Sequence, residues 1–175
     1  MKKPIIILII SLLFNCENKT LNKELDALRS ENTELKQTVE KANTSKQITT
    51  FLTFQNQDAE QAMNFYVSLF ENSKITEVNR YESEGPAPEG SIMMARFELN
   101  GSQYACSDSY IKHEWNFTPG VSNFIDCISK EEQEFLFTKL SENGKVLMPL
   151  GNYGFSQQFA FIEDQFGVSW QLNLD

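Results

Sequence analysis

A length of 175 residues allows one domain of ordinary size with something added to it. The formal charge of −9 excludes the basic surface that phosphate backbones require, so nucleic acid is not an expected partner. With 41% apolar residues, 14 of the residues being Phe, a core of real volume is available, and a small molecule or a protein is the expected partner.

The chain opens with Lys2 and Lys3, then the run PIIILIISLLF, then Cys16. A positive end, a short apolar stretch and a cleavage region, in that order, make a secretory signal over residues 1–15. The run is too short to cross a bilayer, which takes about 20 apolar residues. A buried core strand is the other reading, and the position behind two lysines speaks against it. LFNC resembles the lipobox of bacterial lipoproteins, in which the Cys becomes the acylated first residue. Asn15 departs from the small residue usual there, so ordinary secretion and an uncleaved anchor stay open beside lipidation of Cys16. The resemblance implies attachment to the membrane through Cys16 and a place in the bacterial cell envelope, facing the periplasm or the exterior.

Residues 16–47 form a second compositional block without aromatic residues, Gly or Pro. Apolar residues follow a heptad, with Leu21, Leu28, Leu35 and Ala42 at d and Leu25 and Val39 at a. Asn32 takes the a position between them, where paired amides favour a defined register in a parallel dimer. Glu24 with Arg29 and Glu31 with Lys36 match as g-to-e′ partners. This pattern predicts a helical stalk that forms a homodimer through residues 18–42, about 37 Å long. A solvated single helix is the alternative. Residues 43–47, NTSKQ, read as a linker.

From Ile48 to Asp175 the pattern changes to strands and amphipathic helices, and it repeats. TFLTFQNQDAEQAMNFYVSLFENSK aligns with SNFIDCISKEEQEFLFTKLSENGK, so that Glu60 meets Glu131 and Leu69 meets Leu140. Each copy passes from a strand into a helix at a capping signal, Asp58 with Gln61 and Ser129 with Glu132. Superposing Gly101 on Gly167 lays GSQYAC over GVSWQL. Each module, about 48–110 and 120–175, therefore reads as strand, helix and three strands. KITEVNRY, SIMMARFEL and SQYACSD close the first; KVLMP, QQFAFIED and VSWQLN close the second. Cys106 and Cys127 lie in strand-like flanks, which favours small buried thiols over a disulfide.

TFLTFQNQDAEQAMNFYVSLFENSKI, FELNGSQYACSD and FGVSWQLN together resemble the PhnB-like branch of the vicinal oxygen chelate superfamily, which has the glyoxalase and bleomycin-resistance fold. The resemblance covers about three quarters of the chain. It implies an α+β fold in which two βαβββ modules curl a mixed sheet around a cavity. The methyltransferase label often given to this branch finds no Gly-rich nucleotide turn here. Metalloenzymes of the superfamily take one ligand from the first strand and one from the last strand of each module. The repeat places those positions at Thr50, Ala105, Ser122 and Gln171. Divalent metals want imidazole, thiolate or carboxylate, so no metal, no cofactor and no catalytic set is expected from this quartet.

Strand alternation turns Trp170, Leu172, Tyr104 and Cys106 toward helices bearing Phe65, Phe70, Phe135 and Leu140. The opposite face, with Thr50, Gln103, Ser122, Ser169 and Gln171, is expected to be uncharged and to line a ligand pocket, with Asp108 at its mouth. His113 is the only His in the chain, and HEW lacks a second zinc-spaced His. A solvated loop is its ordinary reading. The favoured function is a tethered, metal-free domain that binds a small molecule or serves as an interaction module. The alternatives are a lyase, isomerase or dioxygenase with a non-standard site, and a drug- or toxin-sequestering resistance protein.

Overall fold

The computed structural model describes residues 21–39 and 48–175. These belong to two compact units that divide between Gln47 and Ile48. The expected signal, Cys16 and the linker 43–47 lie outside the described residues.

In the first unit, residues 21–39 form a continuous helix, α1. Straight-chain residues of high helix propensity with no Gly or Pro account for it. Thr33 and Thr38 return their hydroxyls to the carbonyls of Arg29 and Glu34. The heptad stripe of Leu21, Leu25, Leu28, Leu35 and Val39 is between 46% and 62% exposed. Among the described residues no helix is long and apolar enough to cross a membrane.

The second unit runs β1 (Thr50–Phe54), α2 (Ala59–Leu69), β2 (Lys74–Arg80), β3 (Ile92–Leu99), β4 (Ser102–Asp108), β5 (Asn123–Asp126), α3 (Lys130–Ser141), β6 (Lys145–Gly151), β7 (Gln158–Glu163) and β8 (Ser169–Leu174). The duplication read from the sequence is the duplication of the fold. One sheet has the order β1-β4-β3-β2 and the other β5-β8-β7-β6. In each, the module's first strand lies parallel to its last, and the other neighbours are antiparallel. The expected mixed sheet thus comes as two four-stranded halves. Pro149 lies inside β6, an edge strand whose register shifts twice, as suits a residue with no amide proton.

The sheets bury one face against the helices. Met63 and Tyr66 of α2 and Leu136 and Leu140 of α3 meet Phe97, Cys106, Ile162, Trp170 and Leu172 in one core. Phe135, expected in that layer, is 48% exposed, and its neighbour Leu136 takes the core position. Cys106 and Cys127 are buried free thiols, and burial pushes each up to about 12.

The two helix starts differ. Ser129 accepts from the amide of Glu132 at 3.1 Å, and the Glu132 carboxylate accepts from the amide of Ile128 at 2.7 Å, a capping box whose return bond falls on the residue before the N-cap. Asp58 sits at the matching position of α2 without capping it. The cap comes instead from Asp108 at the end of β4, whose carboxylate accepts from the amide of Ala59 at 3.0 Å and of Ile92 at 2.8 Å. Its negative charge also faces the positive end of α2.

Candidate functional site

The strand registers decide which side chains share the sheet face turned away from the helices. In the second module Phe124 pairs with Gln171, and Gln171 pairs with Phe161. In the first module Phe51 pairs with Ala105, and Ala105 with Arg96. Ala105 and Gln171 are therefore equivalent, as the repeat implies, and Phe51 is the counterpart of Phe124. Two residues back along each strand, the counterpart of Ser122 is Thr49. Thr50 pairs with Tyr104 and stands on the helix-facing side, so its expected place in the quartet is corrected. A slip of one residue in the strand alignment turns a side chain to the opposite face.

Asp108 also departs from its expected place at a pocket mouth. It is 4% exposed, on the helix-facing side, with both oxygens engaged in capping α2 and holding β3. Gln103 does lie on the outer face, but it donates to Glu98 at 2.6 Å, and Lys74 reaches the same carboxylate at 3.1 Å. These two donors hold the Glu98 carboxyl below its usual range. Arg96 approaches Glu77 at 3.6 Å on that face. The outer face of the first module is thus charged, contrary to the uncharged lining expected from Gln103 and its neighbours. Alternation told the faces apart, but the residues on β2 and β3 that share the face carry the charge.

In the second module the predicted residues do come together. Gln171 donates its amide to the hydroxyl of Ser122 at 2.7 Å, across 49 residues of sequence. Ser169 lies two positions before Gln171 on the same face, is 2% exposed, and its hydroxyl has no partner. A buried hydroxyl without a partner is uncommon and costs free energy until a water or ligand supplies one. Phe124, paired with Gln171 on the neighbouring strand, is 55% exposed, and Phe51, paired with Ala105, is 50% exposed.

A divalent ion is what the vicinal oxygen chelate fold implies at the four equivalent positions. Here they hold Thr49, Ala105, Ser122 and Gln171, which offer two hydroxyls, one amide and a methyl group. No carboxylate or imidazole stands among them, so this donor set does not fit the metal. Elsewhere among the described residues, no three His, Cys, Asp or Glu side chains converge.

The loop between the modules carries His113. Its ring lies 3.0 Å from the hydroxyl of Ser109 and stacks on Trp115 at 4.2 Å. Ser109 donates instead to the carbonyl of Ile111 at 2.7 Å, and Gln55 clips the loop through the amide of His113 and the carbonyl of Trp115. These contacts fix a loop; the serine proton is committed to a carbonyl, so the pair is no activated nucleophile.

Comparison with known proteins agrees with this architecture. The family profile described as 3-demethylubiquinone-9 3-methyltransferase matches residues 46–173. The solved structure of the PhnB protein from Bacillus cereus is 48% identical, covering 74% of this chain and 100% of that one with a TM-score of 0.72. The chain belongs to the PhnB-like family of the vicinal oxygen chelate superfamily. A second match is the solved structure of the protein PA1353 from Pseudomonas aeruginosa, 29% identical over 75% of this chain and 98% of that one, with a TM-score of 0.66. The fosfomycin resistance protein FosX from Listeria monocytogenes, solved with Mn(II) and 1S,2S-dihydroxypropylphosphonic acid, shares the fold at 10% identity and a TM-score of 0.51, covering 74% of this chain and 91% of that one. Comparison with curated proteins gives no match. The PhnB-like domain accounts for the second unit, whereas α1 falls before the matched residues.

Proposed function

We propose that this protein holds a metal-free PhnB-like domain at the bacterial membrane, through a lipidated Cys16 and a dimeric stalk, and uses it to bind a small uncharged ligand. The observation that carries the binding reading is the group on β5 and β8. Gln171 and Ser122 are hydrogen-bonded at two of the four chelating positions, beside the buried, unpartnered hydroxyl of Ser169. An amide and two hydroxyls reward a ligand that both donates and accepts hydrogen bonds. They supply no charge to recognise an ion.

The test is a thermal-shift series with neutral polyols, simple amides and hydroxylated aromatics. Ligands that raise Tm in the native protein should lose that effect in Gln171→Leu, which keeps the volume and removes the hydrogen bonds. A stabilising ligand whose effect survives Gln171→Leu and Ser122→Ala would place binding elsewhere and end this reading.

The stalk reading rests on the exposed heptad stripe of α1. Packing against the same stripe of a second copy would bury these five large apolar residues of α1. Asn32→Cys should form a disulfide-linked dimer on mild oxidation, because equivalent a positions face each other in a parallel pair. Ser30→Cys, on the outward face, should not. Equal crosslinking of the two variants, or none in either, would rule out the parallel register.

A further inference from the structure

The two modules are not equally filled where they meet, and the difference opens a crevice. In the second module Phe166 stands in the β7–β8 turn, its ring 6.4 Å from Phe54, 5.9 Å from Phe65 and 6.1 Å from Tyr66. The equivalence of Tyr104 with Trp170 makes Asn100 the counterpart of Phe166. Five residues separate the paired Glu163 and Ser169, and four separate the paired Glu98 and Gln103, so the first turn is also shorter. Asn100 and Gly101 both have positive φ, 45° and 86°, as a tight two-residue hairpin requires. The short turn with a polar tip cannot reach into the junction as Phe166 does.

What remains is a crevice of about 180 Å³ between the β3–β4 turn, the end of α2 and β5. Phe70, Tyr104 and Trp170 wall it, and Asn100, Ser102 and Asp126 line it. Phe70 stacks on Trp170 at 6.0 Å, and Tyr104 is fixed by its hydrogen bond to Asn123 at 2.8 Å. The crevice shares Phe70, Asn100, Ile125 and Asp126 with a wider groove of about 470 Å³, whose rim adds Glu71 and Glu132. Three acidic residues therefore line the pair, and no Lys or Arg does; of these, Asp126 already accepts from the Asn173 amide at 2.9 Å and Glu132 from the amide of Ile128.

We infer that this crevice, which adjoins the Gln171 face at Phe124, is a second ligand site for a protonated amine carrying a single aromatic ring. The volume suits one ring; an engineered apolar cavity of about 150 Å³ holds benzene. Aromatic walls attract a cation through their ring faces, and the carboxylate rim stabilises it further. The net charge of −9 raises the local concentration of cations and lowers that of anions.

The full chain carrying Trp115→Phe, which leaves Trp170 as the one tryptophan, is titrated with 2-phenylethylamine, and with phenylacetate as the anionic counterpart, reading fluorescence and the shift in Tm. The amine should bind saturably with a Kd on the order of 1 mM, and phenylacetate should not. Ser102→Phe fills the crevice from a strand position that accepts any side chain, avoiding the left-handed Asn100. It should abolish the response while circular dichroism shows an unchanged fold. Asp126→Asn should weaken amine binding about tenfold, the effect of losing one charge partner. Binding of phenylacetate as tight as that of the amine, amine binding unaffected by Ser102→Phe or Asp126→Asn, or no saturable amine response overturns the inference.

Discussion

Replacing Asp164 with Ala should cost more stability than any other single polar substitution in the domain. Its carboxylate is 3% exposed in the β7–β8 turn and accepts four hydrogen bonds. One oxygen takes the phenol of Tyr66 at 2.7 Å and the indole of Trp170 at 2.8 Å; the other takes the amides of Phe166 at 2.8 Å and Val168 at 3.0 Å. Tyr66 comes from the first module and Trp170 from the second, so one side chain ties the two together. The alanine variant leaves two buried side-chain donors and two amides unanswered, which amounts to about 4 kcal/mol and a fall in Tm of about 15 °C. Asp164→Asn keeps the shape, turns two donors toward donors, and should cost about half as much. A Tm within a few degrees of the native value in Asp164→Ala would show that the turn holds without its acceptor.

The same residue gives a pH signature. Burial raises the Asp164 carboxyl above its ordinary 3.8, more than its four donors lower it, and burial and the neighbouring Asp164 charge push Tyr66 well above 10. A carboxyl whose folded value is raised binds its proton more tightly in the native state than in the unfolded chain. Its contribution to stability is then complete below the unfolded value and is lost as pH rises through the folded one. The stability gap between the native protein and Asp164→Asn should therefore be larger near pH 4 than at pH 8. Other carboxylates titrate in both proteins and cancel. A gap that widens with rising pH would contradict the burial argument.

Asp108→Ala is the second large effect, about 2 kcal/mol, because it removes the cap of α2 and the partner of the buried Ile92 amide together. Asp58→Ala should change stability by less than about 0.5 kcal/mol, since its side chain does not cap the helix. Urea unfolding of the two variants separates them. Comparable losses would restore Asp58 as the cap.

This pair of aspartates shows where the sequence is readable and where it is not. A capping box is local, so Ser129 and Glu132 could be read three residues apart, and α3 begins as that spacing implies. The cap of α2 arrives from 49 residues away, on the last strand of the module, and no local pattern announces it. Asp164 is similar: the turn is visible in DQFG, but its bond to Tyr66 spans 98 residues. The duplicated modules were legible because both copies kept their Gly at the last hairpin and their helix landmarks. That repeat correctly joined Ala105 to Gln171 and brought Ser122 to Gln171. It misses by one residue at Thr50, because the first strand, TFLTF, repeats Thr and Phe three residues apart and so fixes no register, and one residue is enough to change faces. The charge on the first module's outer face is not legible in the sequence, because Glu77 and Arg96 lie on strands whose register only the fold reveals.

Thr49, Ala105, Ser122 and Gln171 offer no carboxylate or imidazole to a metal, and Gln171 and Ser122 hydrogen-bond to each other instead. Titration of the purified protein with Mn²⁺ and Zn²⁺ by calorimetry, followed by metal analysis after desalting, tests this most directly. No stoichiometric ion should be retained, and no heat should depend on Gln171. One divalent ion bound per chain, and lost in Gln171→Ala, would contradict this.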